Sequence, residues 1–153
     1  MKLFQIEEPE GAPEGPGVAV GIDLDAVSGC AVAIAVGGNA ELLPDGHGTR
    51  RLGASGLVRA ARYDAAVLTE MLRTLRGQAE KQLARPVTHA VIAASPLDAA
   101  AQGAIEEAAA AAGIAVLRLV DRATAAAGGA GEDAAVLGAA VLAEDLAPRP
   151  GED

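Results

Sequence analysis

Asp23 and Asp25 close an apolar run that begins at Val18 and reads VAVGIDLD. If that run is a strand, the two carboxylates share one of its faces at the C-terminal end, about 7 Å apart. A carboxylate pair in that place can hold a divalent cation, and it is the end of a sheet where α/β proteins put their ligands. Asp121, Glu132 and Asp133 are acidic residues that could complete a two-ion site of the kind that cleaves phosphodiesters. Each also has a plainer role: Asp121 fits a turn, and Glu132 and Asp133 suit the positive end of a helix. His47 and His89 stand alone, because the chain's one cysteine, Cys30, lies in an apolar stretch and gives them no zinc-site spacing. Cys30 itself reads as a buried thiol that has no internal disulfide partner. The Gly-Gly pairs at 37-38 and 128-129 lack the strand and helix that frame a dinucleotide loop.

The elements that must position Asp23 and Asp25 follow from periodicity and punctuation. Val18 to Asp25 is apolar on both faces, as a central strand is. Cys30 to Val36 is a second strand, and Gly37-Gly38-Asn39 is a hairpin turn into a third, Ala40 to Leu43. A glycine-rich loop over 44 to 56 carries Arg50 and Arg51. The spacing of Val67, Leu68, Met71, Leu72, Leu75, Ala79 and Leu83 predicts a helix over Ala60 to Ala84. The same count puts Arg59, Arg62, Arg73 and Arg76 on its opposite side as a basic stripe. Then come a strand over Val87 to Ala94, an alanine-rich helix over Ala99 to Ala112, and a strand over Ala115 to Val120. A short helix over Asp121 to Ala127 and a last helix over Glu132 to Leu146 complete the order β-β-β-α-β-α-β-α-α. This predicts an α/β, ribonuclease H-like fold: a mixed five-stranded sheet, three strands antiparallel and the rest parallel, with helices on both faces.

Composition narrows the function classes. With one Phe, one Tyr and no Trp among 153 residues, a site built on aromatic stacking against bases or sugars is disfavoured. Between Arg50 and Arg85 eight basic residues face three acidic ones, a local +5 that leaves −14 for the remainder of the net −9. Such an acidic balance argues against nucleic acid as a partner. No apolar run is long enough to span a bilayer, and no targeting pattern is visible, which makes the cytoplasm the default. Residues 1–16, with four glutamates and three prolines, read as a disordered tail. Residues 148–153 read as a second tail, and 17–147 as a single domain.

Several segments resemble the seventy-kilodalton heat-shock chaperones. Gly21-Ile22-Asp23-Leu24 followed by Cys30-Ala31-Val32 is similar to the family's first phosphate loop, and Gly48-Thr49-Arg50 keeps a glycine and an arginine of its next loop. Pro86 to Ile92 resembles its Pro-Val-Thr-x-Ala-Val-Ile strand. Val116 to Ala127 resembles Val-Leu-Arg-Ile-Ile-Asn-Glu-Pro-Thr-Ala-Ala-Ala, and Glu132 to Ala140 resembles its late helix. The resemblance implies the first lobe of an actin-like ATPase. In that family a whole second lobe separates the last two motifs; here four residues, Gly128 to Gly131, do so.

Against the family's phosphate loop, Asp25 replaces a glycine, and Ala26 and Val27 replace two threonines. Arg122-Ala123 replaces the Glu-Pro pair that carries the family's catalytic carboxylate; Asp23 alone matches a metal-site position. A carboxylate about 4 Å from a phosphate oxygen costs on the order of 4 kcal/mol at an effective dielectric of 20, roughly a thousandfold in affinity. The resemblance therefore implies a chaperone-like, non-catalytic protein-binding module without ATP or Mg²⁺ as a cofactor. Leu137 and Leu142 on the last helix, whose small residues permit close approach, are the expected homodimer surface, and Arg62, Arg73 and Arg76 a second docking face. Two alternatives stay open. One is residual nucleotide or Mg²⁺ binding at Asp23, Asp25, Ala26 and Val27, and the other is a metal-dependent nuclease using Asp23 and Asp25.

Overall fold

The structure is a computed structural model that describes residues 16–127, 129 and 131–148. The expected tails therefore lie, but for Pro16 and Pro148, outside the described residues. Among the described residues seven strands and four helices run in the order β1 (Val18–Asp25), β2 (Gly29–Val36), β3 (Asn39–Leu42), β4 (Val58–Arg59), β5 (Arg62–Tyr63), α1 (Ala65–Leu83), β6 (Val87–Ala94), α2 (Ala99–Ala111), β7 (Ala115–Asp121), α3 (Arg122–Ala125) and α4 (Ala134–Leu146). The five-stranded sheet has the order β3-β2-β1-β6-β7. β1 pairs antiparallel with β2, and β2 with β3, while β1 with β6 and β6 with β7 are parallel. This mixed sheet has the ribonuclease H-like arrangement read from the sequence.

Alternation along β1 sends Val20, Ile22 and Leu24 into the core under α1 and α2, where Leu68, Leu72, Leu75 and Ile105 meet them. Gly21 and Asp23 face the opposite side, which α4 covers with Ala135, Ala139, Ala140 and Ala143. That approach depends on missing side chains. A Cβ on Gly21 would stand 2.2 Å from the Ala140 nitrogen, and one on Gly138 would stand 1.7 Å from the Ala125 carbonyl oxygen. The small residues of α4 therefore serve contact with the chain's own sheet and α3. Glu144 then pins the far end of α4, accepting from the amides of Gly37 and Gly38 at 2.5 and 2.9 Å.

Most boundaries lie within one or two residues of the sequence reading, and the starts of α1 and α4 differ in ways that bear on the site. Helix α1 begins at Ala65, with Asp64 as its cap accepting from the Val67 amide at 3.1 Å. Residues 58–63 instead form a hairpin, β4 and β5, in which Arg59 faces Arg62 across the strands. Alanine suits a helix so well that Ala60 and Ala61 carried no signal against one, yet both sit in the left-handed region, at φ 53° and 65°. Likewise α4 begins at Ala134, and Glu132 and Asp133 precede it.

Candidate functional site

The C-terminal end of β1 delivers Asp23 and Asp25 to the side covered by α4, as alternation requires, but what surrounds them is cationic. Asp23, with no side-chain exposure, takes both prongs of Arg122: Nε to Oδ1 at 2.6 Å and Nη2 to Oδ2 at 3.0 Å. Arg51 adds a third bond, Nη2 to Oδ2 at 3.0 Å. Paired, planar contacts of this kind are the strong form of a charged hydrogen bond. Arg122 also reaches Asp25, Nη2 lying 3.5 Å from Oδ2, so one guanidinium bridges both carboxylates.

Arg51 is fixed from several directions. It donates from Nη1 to the Gly29 carbonyl at 2.8 Å, from Nη2 to the Glu132 carbonyl at 3.0 Å, and from Nε to Asp133 at 3.3 Å. Asp133 also accepts from Arg50 at 2.8 Å. Asp133 precedes α4 and makes no side-chain cap bond to it. The cluster holds three guanidinium groups and three carboxylates, so it carries no excess charge of either sign.

The turn after β1 is closed on itself. Asp25 accepts from the Val27 amide at 3.0 Å and from the Ser28 hydroxyl. Burial works to raise the pKa of Asp25, but the Ser28 hydroxyl, the Val27 amide, Arg122 and the Ser28 amide together hold it below the ordinary carboxylate value. For Arg122 the bond to Asp23 raises the pKa above the ordinary guanidinium value, against burial. Ala26 and Val27 bring no polar side chain, and Val27 is 95% exposed. Gly29, at φ +102°, lets the turn pass beneath Leu52, whose carbonyl oxygen would be 2.6 Å from an added Cβ.

The other acidic residues are placed apart in role. Asp121 ends β7 and caps α3, accepting from the Ala123 amide at 2.9 Å and from the Ser95 hydroxyl at 3.0 Å. With Asp25, Ser28, Ser95, Arg122 and Glu132 it lines an open cleft of about 500 Å³. Among the described residues no three His, Cys, Asp or Glu side chains gather as a cation site. A divalent ion between Asp23 and Asp25 would meet the Arg122 guanidinium, so the arrangement does not fit one. Cys30, on β2, is fully buried, and burial pushes its thiol pKa up to about 12.

The expected docking residues do not share a face. Arg62 belongs to the β4–β5 hairpin, which corrects its place in a helical stripe. Arg73 pairs with Glu70 at 2.9 Å and donates to the Ala111 carbonyl at 3.3 Å. Arg76 pairs with Glu80 and donates to the Ala112 carbonyl at 2.7 Å. Both guanidinium groups thus hold the last carbonyls of α2, as cations at a helix C-terminus do. Leu137 and Leu142 are half-buried along an apolar groove of about 590 Å³ between α4, α3 and β7, with Val141, Gly138 and Val120.

The sequence marks Arg51 as a loop residue and Arg122 as a replacement within a family motif, and neither places a guanidinium on Asp23. The usable signal was the gathering of arginines in an acidic chain, but a contact across twenty-eight or ninety-nine positions leaves no trace in local spacing.

The mixed sheet order with its helices is consistent with an actin-like, ribonuclease H-like fold. A model of the Hsp70 protein family matches residues 58–146, more than half of the chain, and the chain belongs to that family. The match includes Arg122, α3 and α4; the similarity of Gly21 to Val32 lies outside it. No curated protein matches the chain.

Proposed function

We propose that this chain is a non-catalytic, protein-binding member of the Hsp70 family, in which a guanidinium stands where a nucleotide-binding relative would need a metal ion. The observation that carries this reading is Arg122 spanning Asp23 and Asp25. Two features support it. The Val27 amide, which an anion at this turn would need, is given to Asp25. The link from α3 to α4, residues 126–133, leaves no room between them for a second lobe.

The partner surface is the groove beside Leu137 and Leu142, and its occupant is a second copy of the chain. The reading places the protein in the cytoplasm, where a lone free thiol such as Cys30 is stable. Among the described residues no helix is long and apolar enough to cross a membrane.

Calorimetric titration with Mg²⁺ alone and with Mg-ATP tests the chemical half, with no saturable heat expected from either. Phosphate release by the pure protein that is abolished in Asp23→Ala would overturn it. Light scattering tests the other half: a dimer that Leu142→Asp dissociates is expected, and a clean monomer at micromolar concentration refutes it.

A further inference from the structure

The outward face of α2 and the β4–β5 hairpin beside it carry charges of opposite sign that the single molecule keeps apart. Arg59 and Arg62 are exposed and directly opposed across the hairpin strands, an arrangement in which like charges repel. Glu106 and Glu107 are exposed on α2. None of the four joins an ion pair among the described residues. Between hairpin and helix opens a recess of about 320 Å³ with mixed walls, apolar at Val58, Ala100 and Ala104 and polar at Arg62 and Ser95. Asp98 also borders it, with its carboxylate engaged by the Ala101 amide at 2.8 Å. Glu107, seven positions after Ala100 and three after Ala104, continues the stripe of α2 that faces this recess. Glu106 turns to the other flank. The ridge between the two flanks is Ala99, Gly103 and Ala110, all exposed, and a Cβ on Gly103 would meet nothing within 4 Å.

We infer that a second copy of the chain packs on this face, α2 antiparallel to α2 about a two-fold axis at Gly103, so that Glu107 of each copy reaches Arg59 and Arg62 of the other. Charge sets the register. Rotation about Gly103 brings Glu107 level with the partner's Ala99, beside the mouth of the recess where Arg62 stands, and symmetry makes the exchange twice. A parallel alignment would instead set Glu107 against Glu107, and an axis near residue 106 would set Glu106 against Glu107. A carboxylate placed between Arg59 and Arg62 relieves the repulsion that the hairpin bears alone, and it gains paired guanidinium bonds. Small residues along the ridge let the two helices close on each other. The thirteen residues of α2 span about 20 Å, which makes this a contact of the small, weakly associating class. It lies on the side of the sheet covered by α1 and α2, opposite α4, and stands whether or not the Leu137–Leu142 groove forms a dimer.

Sedimentation velocity at about 0.1–1 mM, the range of weak contacts, reads this surface by itself when Leu142→Asp has removed the α4 groove. Dimers are expected there. Glu107→Arg weakens them about tenfold or more, and so does Arg59→Glu with Arg62→Glu, because each sets like charges against each other. Mixing those two variants restores the dimer, since each then supplies the charge that the other lacks at both symmetric contacts. Glu106→Arg, on the other flank, changes the association less than about twofold. Gly103→Leu abolishes it, and as the added atoms point into open space in the single molecule, the melting temperature of the dilute protein does not fall. Glu107→Arg and Gly103→Leu alter only exposed positions, so they remain informative if the hairpin variant misfolds. A Leu142→Asp chain that stays monomeric at about 1 mM overturns the inference. So does a mixture that associates no better than its separate components, which would confine Glu107 and the hairpin arginines to contacts within one molecule.

Discussion

Arg122 donates to both oxygens of Asp23, at 2.6 and 3.0 Å, across ninety-nine positions of sequence. Arg51 donates to the same carboxylate from a loop between β3 and β4. Asp23→Ala leaves two partly buried guanidinium groups facing each other without their anion, and a buried pair broken in this way costs about 3–5 kcal/mol. Asp25→Ala removes a longer ion pair together with the Val27 and Ser28 hydrogen bonds that close the turn, and costs about 1–2 kcal/mol. Urea unfolding of the two variants measures the difference. Equal losses would show that Asp23 is not the centre of the network.

The close approach of α4 makes an opposed pair of predictions about glycine. Gly21→Ala and Gly138→Ala drive a methyl group into backbone atoms of α4 and α3, and each costs about 1–3 kcal/mol or more. Gly77 in α1 and Gly103 in α2 have nothing within 4 Å of an added Cβ. There alanine relieves the backbone entropy cost of glycine in a helix and stabilises by about 0.5–1 kcal/mol. Thermal melts of the four variants should fall into these two groups, with opposite signs.

The sheet was legible because its strands carry their own signals. Val20, Ile22 and Leu24 alternate cleanly, and Gly37-Gly38 marks the only turn that β2 and β3 allow. The hairpin was illegible because alanine at 60 and 61 fits any regular structure, and only the cap at Asp64 argued for a later helix start. The site was half legible. Side-chain alternation alone brings Asp23 and Asp25 to one face, whereas the identity of what meets them depends on how the 44–56 loop and the start of α3 fold back. Helix α4 shows a different limit. Its small residues announced a close contact without saying with what, and the sheet's own Gly21 proved to be part of the answer.

The turn after β1 has a distinct acid response. The pKa of Asp25 is held below the ordinary carboxylate value of 3.8 in the folded chain, so its ionised form is favoured by folding. That contribution is complete above the unfolded-state value and is lost as pH falls through the folded one. Below about pH 4, stability therefore declines more steeply in the native chain than in Asp25→Asn, which lacks the titrating group. Urea midpoints taken at intervals through this range would reveal the difference. Parallel curves would mean that Ser28 and the Val27 amide do not favour the carboxylate.

At the hairpin the backbone carries strain that a better turn sequence relieves. Ala60 and Ala61, at φ 53° and 65°, form a two-residue turn in which both central positions favour Asn and Gly. A left-handed conformation costs an alanine about 1–2 kcal/mol. Ala60→Asn with Ala61→Gly should raise stability by about 1–2 kcal/mol, and Ala84→Gly, at the left-handed C-cap of α1, by about 1 kcal/mol. No gain at the hairpin would mean that its pairing with Arg59 and Arg62 is not formed in solution.

Cys30 provides a probe of the whole sheet. Its neighbours across the strands are Leu24 on β1 and the bridge to Leu52, and burial pushes its thiol up to about 12. At pH 8 the folded protein then holds roughly two-thousandfold less thiolate than an exposed cysteine with a pKa near 8.5. Reaction with a thiol reagent must wait for the sheet to open, so its rate should follow the unfolding equilibrium. Sub-denaturing urea should accelerate labelling with the same dependence that global unfolding shows. Modification of the native protein within seconds at pH 8, without urea, would mean that β2 is not held between β1 and the 44–56 loop.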